Sequence, residues 1–217
     1  MGSSQISVRS RTDATELDGM VGVPAEAVGI VLFAHGSGSS RLSPRNAYVA
    51  RALREARIAT LLFDLLTEWE AANRANVFDV EFLARRLRSA TVWVRRQPSL
   101  RQLPIGYFGA STGAAAALLA AAADPGVQAI VSRGGRPDMA ARVLATVTAA
   151  TLLIVGGNDA PVIEMNEEAY ALLRCEKALR IIPGASHLFE EPGALEQVTR
   201  LATEWFSRHL GAHCPCA

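Results

Sequence analysis

Five apolar runs, continuous rather than alternating, constrain this chain more than any other feature. They are "AVGIVLFAHG" (27–36), "IATLLFDLL" (58–66), "IGYFGA" (105–110), "VQAIVSR" (127–133) and "ATLLIVGG" (150–157). A strand with one face in water alternates apolar and polar residues, whereas a continuous run has both faces covered, as in a parallel sheet. A turn signal and a helical pattern follow nearly every run. "SPRNAYVARALREA" predicts a helix with Ser43 as N-cap and Pro44 in its first turn. "DVEFLARRLRSATVWVRRQ", "TGAAAALLAAAA", "EMNEEAYALLRC" and "GALEQVTRLATEWFSRHL" predict four more, with a short helix near Pro137–Leu144 and a polar loop over Glu68–Asn76. "ALRIIPGASH" supplies a last strand, and "GMVGVPA" an antiparallel-type edge strand preceded by "QISVRS". The fold class expected is α/β: one domain over 1–217 with a mostly parallel sheet flanked by helices on both faces. Residues of about 1–16 form its edge segment and about 211–217 a loose tail. The stretch between "VQAIVS" and "TLLIVG" is too short for a cap domain.

Composition narrows the function classes. The 217 residues carry a formal charge of +1 and are 50% hydrophobic, so no strong field points to nucleic acid or to a membrane surface. No apolar run reaches the roughly 20 residues of a membrane-spanning helix, and the N-terminus lacks a signal-peptide core. Three cysteines make no disulfide framework. His213, Cys214 and Cys216 in "GAHCPCA" read as incidental thiols on a loose end, since no further metal ligands are spaced around them. The expectation is a protein of the reducing cytoplasm, monomeric or homodimeric, with no metal, cofactor, nucleic-acid or membrane partner.

Open parallel sheets collect functional groups at the carboxyl ends of their strands. Ser111 stands there in "GASTG", the G-x-S-x-G pattern of a nucleophile on a sharp strand-to-helix turn. That five-residue pattern is weak alone. Asp159 follows the next usable strand in "LLIVGGND", where an Asx turn or helix cap is the competing reading. His187 follows the last strand in "PGASHLF", where it otherwise reads as a loop histidine packed on Phe189. Serine, then acid, then histidine at three strand ends is the chain order of a Ser-His-Asp triad on this kind of sheet. The amides of Ser37 and Thr112 are the expected oxyanion donors, with His35 a structural loop residue or substrate contact. "VLFAHGSGSSR" lacks both the P-loop lysine and the dinucleotide G-x-G-x-x-G spacing.

With these residues in place, the chain resembles α/β-hydrolases of the dienelactone-hydrolase-like group. "GIVLFAHGSGSSR", "GYFGASTGAA", "TLLIVGGND" and "PGASHLFEEPGALEQV" carry the resemblance over nearly its whole length. It implies the α/β-hydrolase fold, Ser111 as nucleophile, His187 as base and Asp159 as its orienter, without a cofactor. Dienelactone hydrolases proper have cysteine at the elbow; serine here implies a general serine esterase acting on small carboxylic esters, thioesters or lactones. "HGSGSSR…SPRN" and "SRGGRPD" also resemble bacterial hydrolases of unassigned substrate, some joined to a phosphoribosyltransferase domain that these residues are not expected to include. A cofactor-free perhydrolase or haloperoxidase would use the same triad, and a non-catalytic ligand sensor could keep the fold.

Asp64, Glu190 and Glu191 are rival acids, less favoured by position than Asp159. Arg41 and Arg45, and Arg133 and Arg136, lie at the same end of the sheet. They either bind an anionic substrate group or, as preferred here, brace loops by pairing with Asp138, Glu68 or Glu70. Trp69 and Phe189 are candidates for an apolar acyl pocket, with core packing the preferred role of each.

Overall fold

The structure, a computed structural model, describes residues 4–9 and 15–211, so the Cys-Pro-Cys tail and most of the remaining edge segment lie outside the described residues. Eight strands form one sheet: β1 (Ser4–Arg9), β2 (Glu16–Gly22), β3 (Gly29–Ala34), β4 (Ile58–Phe63), β5 (Ile105–Ala110), β6 (Val127–Arg133), β7 (Ala150–Gly156) and β8 (Lys177–Ile182). Their spatial order is β1-β2-β4-β3-β5-β6-β7-β8. β1 and β2 run antiparallel to their neighbours and the remaining pairs are parallel. Every residue of β3, β4, β5 and β7 is buried, as their unbroken apolar runs require.

Two cores lie on the two faces. One packs the sheet against α4 (Val80–Val94), α5 (Thr112–Ala122) and α6 (Ala160–Leu172), and the other against α1 (Pro44–Glu55) and α7 (Ala194–Leu210). α1 begins as expected, with the Ser43 hydroxyl accepting the Asn46 amide and Pro44 at its start. α5 is apolar all round because it is covered all round, by the sheet, by α4 and by a 3-10 segment over Pro137–Thr146. That segment is all that joins β6 to β7, apart from short turns, so no cap stands over the sheet there. Among the described residues no helix is long and apolar enough to cross a membrane.

The stretch read as a polar loop is instead two short helices, α2 (Glu68–Ala71) and α3 (Arg74–Phe78). Local capping explains this: Thr67 and Glu70 form a reciprocal capping box, and Asn73 caps α3. Glu70 also pairs with Arg86, whose side chain is 1% exposed and lies over the Phe82 ring. Trp69 is neither core nor acyl pocket, being 84% exposed on α2, because Glu70 rather than Trp69 turns inward. Phe189 is buried, as expected.

The close crossing of α5 over β3 and β5 decides the geometry that follows. A Cβ on Gly113 would overlap the Ala34 carbonyl, and one on Gly109 would stand 2.8 Å from the Ala114 nitrogen. Backbone cannot give way as a flexible side chain can, so Gly113→Ala is expected to lower stability by about 2–3 kcal/mol in urea unfolding. Glu70→Ala removes the carboxylate that pairs with a buried guanidinium and also removes a cap, and is expected to cost about 3 kcal/mol. A midpoint unchanged in either variant would contradict the packing described.

Candidate active site

Ser111 links β5 to α5 with φ 50° and ψ −122°, a backbone conformation that a non-glycine residue adopts only under constraint. Its amide donates to the Arg133 carbonyl at 3.2 Å, and its carbonyl accepts the Ala114 and Arg136 amides at 3.0 and 3.1 Å. β6 and its following turn thus hold the strained residue from one side. Gly36 holds it from the other, where an added Cβ would stand 3.0 Å from the Ser111 Cβ. The Ser111 hydroxyl has no hydrogen-bond partner among the described residues.

Asp159 occupies the N-cap position of α6, yet its side chain caps nothing. Its Oδ2 accepts instead from His187 Nδ1 at 2.6 Å, which disposes of the helix-cap reading. A proton on Nδ1 leaves Nε2 free as the ring's basic atom. The two loops that carry this pair are zipped together by backbone. Gly157 and Asn158 amides donate to Ile182 and Ala185 carbonyls at 2.8 and 2.9 Å, and the Asn158 side chain donates to the Gly184 carbonyl at 2.8 Å. Gly156 is required here because its Cβ would lie 2.5 Å from the Ala185 and Ser186 carbonyls. Phe189, buried and at φ 56°, anchors the far side of the histidine turn. The His187 ring then passes over β6: a Cβ on Gly134, adjacent to the residue that accepts the Ser111 amide, would meet its Nδ1 at 3.4 Å. The structure therefore gathers Ser111, Asp159 and His187 at one end of the sheet. Asn158 escaped the sequence reading, where the adjacent Asn-Asp pair was the available signal; Phe189 was read as packing, and only its positive φ left no signal.

Ser37 and Thr112 line a cleft of about 540 Å³ bounded by β2, the end of β4 and α2; Ser111, Asp159 and His187 are not among its lining residues, and Thr112 is its link to Ser111. Among the described residues no protein acceptor takes either amide proton. Thr112 opens α5, where helical N–H groups lack internal partners and favour negative charge.

The rival acids are engaged elsewhere. Asp64 accepts the Arg41 backbone amide at 2.6 Å and its guanidinium, and Glu190 pairs with Arg45 at 2.9 Å. Glu191 is held below the usual carboxylate range by hydrogen bonds from Ser186. Of the residues read as substrate contacts, His35 and Arg41 line the cleft, but both are committed to the protein. Arg41 bridges Asp64 and Asp18, and the His35 ring is hydrogen-bonded through both nitrogens. Arg136 is a loop brace, bidentate on Asp138 at 2.7 and 2.9 Å. Arg133 is 8% exposed on the α1–α7 face, and its Nε and Nη1 are buried without partners among the described residues. Burial, and then the nearby Arg45 charge, push its pKa down to about 10, so it stays cationic at neutral pH.

Comparison with known proteins adds the family. No family model matches the chain. The crystal structure of a dienelactone hydrolase from Anabaena variabilis superposes with a TM-score of 0.91 at 54% identity, covering 96% of this chain and 99% of that one. An α/β serine hydrolase without a lid from Xanthomonas campestris, 23% identical, shares the fold with a TM-score of 0.79 over 96% of this chain and 95% of its own. Two curated Mycobacterium tuberculosis proteins, named provisionally as phosphoribosyl transferases, are each 60% identical over 194 residues. Those residues make up 88% of this chain but 44% of the relatives, so the chain spans less than half their length. The fold, the nearly complete coverage and the identity to the Anabaena structure together establish that the chain belongs to the dienelactone-hydrolase-like group of the α/β-hydrolase superfamily.

Proposed function

We propose that this protein is a serine hydrolase that cleaves small carboxylic esters, thioesters or lactones through an acyl-enzyme. The observation that carries the reading is the Asp159–His187 pair at 2.6 Å, beside a serine held at φ 50°. A serine hydroxyl attacks a carbonyl only when a base takes its proton. His187 Nε2 is that base, and it returns the proton to the leaving group. Asp159 fixes the ring tautomer and stabilises the imidazolium without taking the proton. The oxyanion of the tetrahedral intermediate falls to the unpaired Ser37 and Thr112 amides. Water then attacks the acyl-Ser111 ester by the same proton route, releasing acid and regenerating the hydroxyl. The Ser111–His187 hydrogen bond forms with substrate bound, as is common where unliganded catalytic contacts are long.

Phosphoribosyl transfer is not the reading favoured for this chain, since the provisionally named relatives extend well beyond the part it matches. The cleft favours neutral substrates. Glu16, Asp18, Asp64 and Glu68 line it, and Arg41 is taken by two of them. Being uncapped and of about 540 Å³, it suits short acyl groups.

A fluorophosphonate probe is expected to label wild type at Ser111 and to leave Ser111→Ala unlabelled. Absence of adduct in folded wild type would sink the nucleophile assignment and promote a ligand-sensing role. Asp159→Asn is expected to lower kcat by about 10³- to 10⁴-fold on p-nitrophenyl butyrate; a loss under tenfold would remove Asp159 from the triad. On a p-nitrophenyl ester panel, kcat/KM is expected to peak at two to four acyl carbons, with the hemisuccinate slower than butyrate. Equal rates at ten carbons, or a faster hemisuccinate, would overturn the substrate class.

A further inference from the structure

We propose that His35 is a positioning residue that aims the Ser37 amide at the oxyanion by holding the Gly36 carbonyl; this rests on the serine-hydrolase reading. His35 follows directly on β3. Its Nε2 lies 3.0 Å from the Leu65 backbone nitrogen, and its Nδ1 lies 3.1 Å from the Gly36 carbonyl oxygen. A backbone N–H only donates and a carbonyl only accepts, so Nε2 must be the acceptor and Nδ1 must carry the proton. The neutral ring has one proton and uses it on Gly36. Both nitrogens are spent, which excludes His35 as the base.

The consequence lies in one peptide plane. The Gly36 C=O and the Ser37 N–H belong to the same rigid unit and point in opposite directions across it. Fixing the carbonyl therefore fixes the amide. The Ser39 amide also donates to the Gly36 carbonyl, at 3.2 Å. Little else restrains the turn: Ser37 is exposed, and Gly38, at φ 69°, has open space where a Cβ would stand. Packing alone does not stop this peptide from rotating. Gly36 lies close beside Ser111, where an added Cβ would stand 3.0 Å from the serine Cβ, so a rotated plane would withdraw an oxyanion donor right beside the nucleophile.

The surroundings keep the ring neutral. Burial pushes the His35 pKa below its ordinary 6.5, against smaller raising effects from the Gly36 hydrogen bond and the Asp64 charge. Asp64 is itself paired with Arg41. The other charges on the cleft wall are Glu16 and Asp18 of the β2 strand and Glu68 of α2. A protonated ring would turn an N–H against the Leu65 N–H and break the bridge.

The test compares wild type with His35→Asn, His35→Gln and His35→Phe on p-nitrophenyl butyrate, with circular dichroism to establish folding. Asparagine places an N–H where Nδ1 stands and keeps the Gly36 contact. Glutamine supplies only the Leu65 acceptor, and phenylalanine neither. Glutamine and phenylalanine variants are expected to lose about 10- to 100-fold in kcat with KM within about twofold. The asparagine variant is expected to recover to within about fivefold of wild type, and affinity for a boronic-acid analogue is expected to fall in step with kcat. Unchanged kcat in His35→Gln, a loss confined to KM, or an asparagine variant as slow as glutamine would each overturn the proposal while leaving the hydrolase reading standing. A wild type that neither labels nor hydrolyses would bring down both.

A second readout needs no activity. Below pH 6.5 the unfolded chain binds a proton that folded His35 resists, so stability falls as the pH drops through that range. His35→Asn is expected to show a shallower fall than wild type between pH 6.5 and 5 in urea unfolding. Equal slopes would overturn the neutral, doubly bonded ring.

Discussion

The strained turn at Ser111 is the constraint on which the rest of the structure depends. A serine at φ 50° is costly on its own, of the order of 1–3 kcal/mol, and persists only where its surroundings leave no alternative. Three groups supply that constraint: glycines at 109 and 113 let α5 lie against the strands, the β6 turn takes the Ser111 amide and carbonyl, and Gly36 closes the remaining side. The alanine-rich helix follows from the same demand, because bulkier side chains would lift α5 off the sheet and relax the turn. In return the hydroxyl stands clear of the strand and the Thr112 amide is left unpaired at a helix start.

That organisation was legible where it depends on chain order. The continuous strands specify a sheet covered on both faces, and three strand ends place Ser111, Asp159 and His187 at the same end of it. Asp159 was ambiguous from sequence because N-cap and orienting acid look alike; only the direction of its carboxylate separates them. Helix α6 begins earlier than "EMNEEAY" implied, since Asp159 and Pro161 form a start signal that a catalytic reading of the loop hides. The arginines were legible only in part: loop bracing was expected and Arg136 does pair with Asp138, but the partners of Arg41 and Arg45 were not readable. Arg41 and Asp64 are 23 positions apart and Arg45 and Glu190 are 145 apart, separations at which no spacing rule names a partner.

Those pairings divide the charges at the active-site end by task. Arg41, Arg45 and Arg136 each bind a carboxylate and brace a loop, which removes them from recognition of an anionic substrate. Arg133 differs in being desolvated with no partner for Nε and Nη1 among the described residues, and it backs the strand end that carries the Ser111 contact. Its charge is retained because even a pKa of about 10 lies well above neutrality. A buried, uncompensated cation costs stability, so β6 carries a burden that core packing alone would not select.

The two sides of Ser111 are built by different means. On the histidine side, backbone bonds and a buried Phe189 hold the loops that bring Asp159 to His187, so geometry is set by many contacts and tolerates the loss of one. On the other side, which the proposed mechanism gives to the oxyanion, the loop after β3 is stapled to the end of β4 at two points, the Arg41–Asp64 pair and the His35–Leu65 bond. Between the staples the chain runs exposed through Ser37 and Gly38. The direction of one amide there depends on one carbonyl and the two hydrogen bonds it accepts, from His35 and Ser39. An oxyanion donor acts through its direction more than through its presence, because the charge it meets exists only in the transition state. In the mechanism proposed, the side with the fewest restraints is therefore the side where a single imidazole has the most leverage over rate.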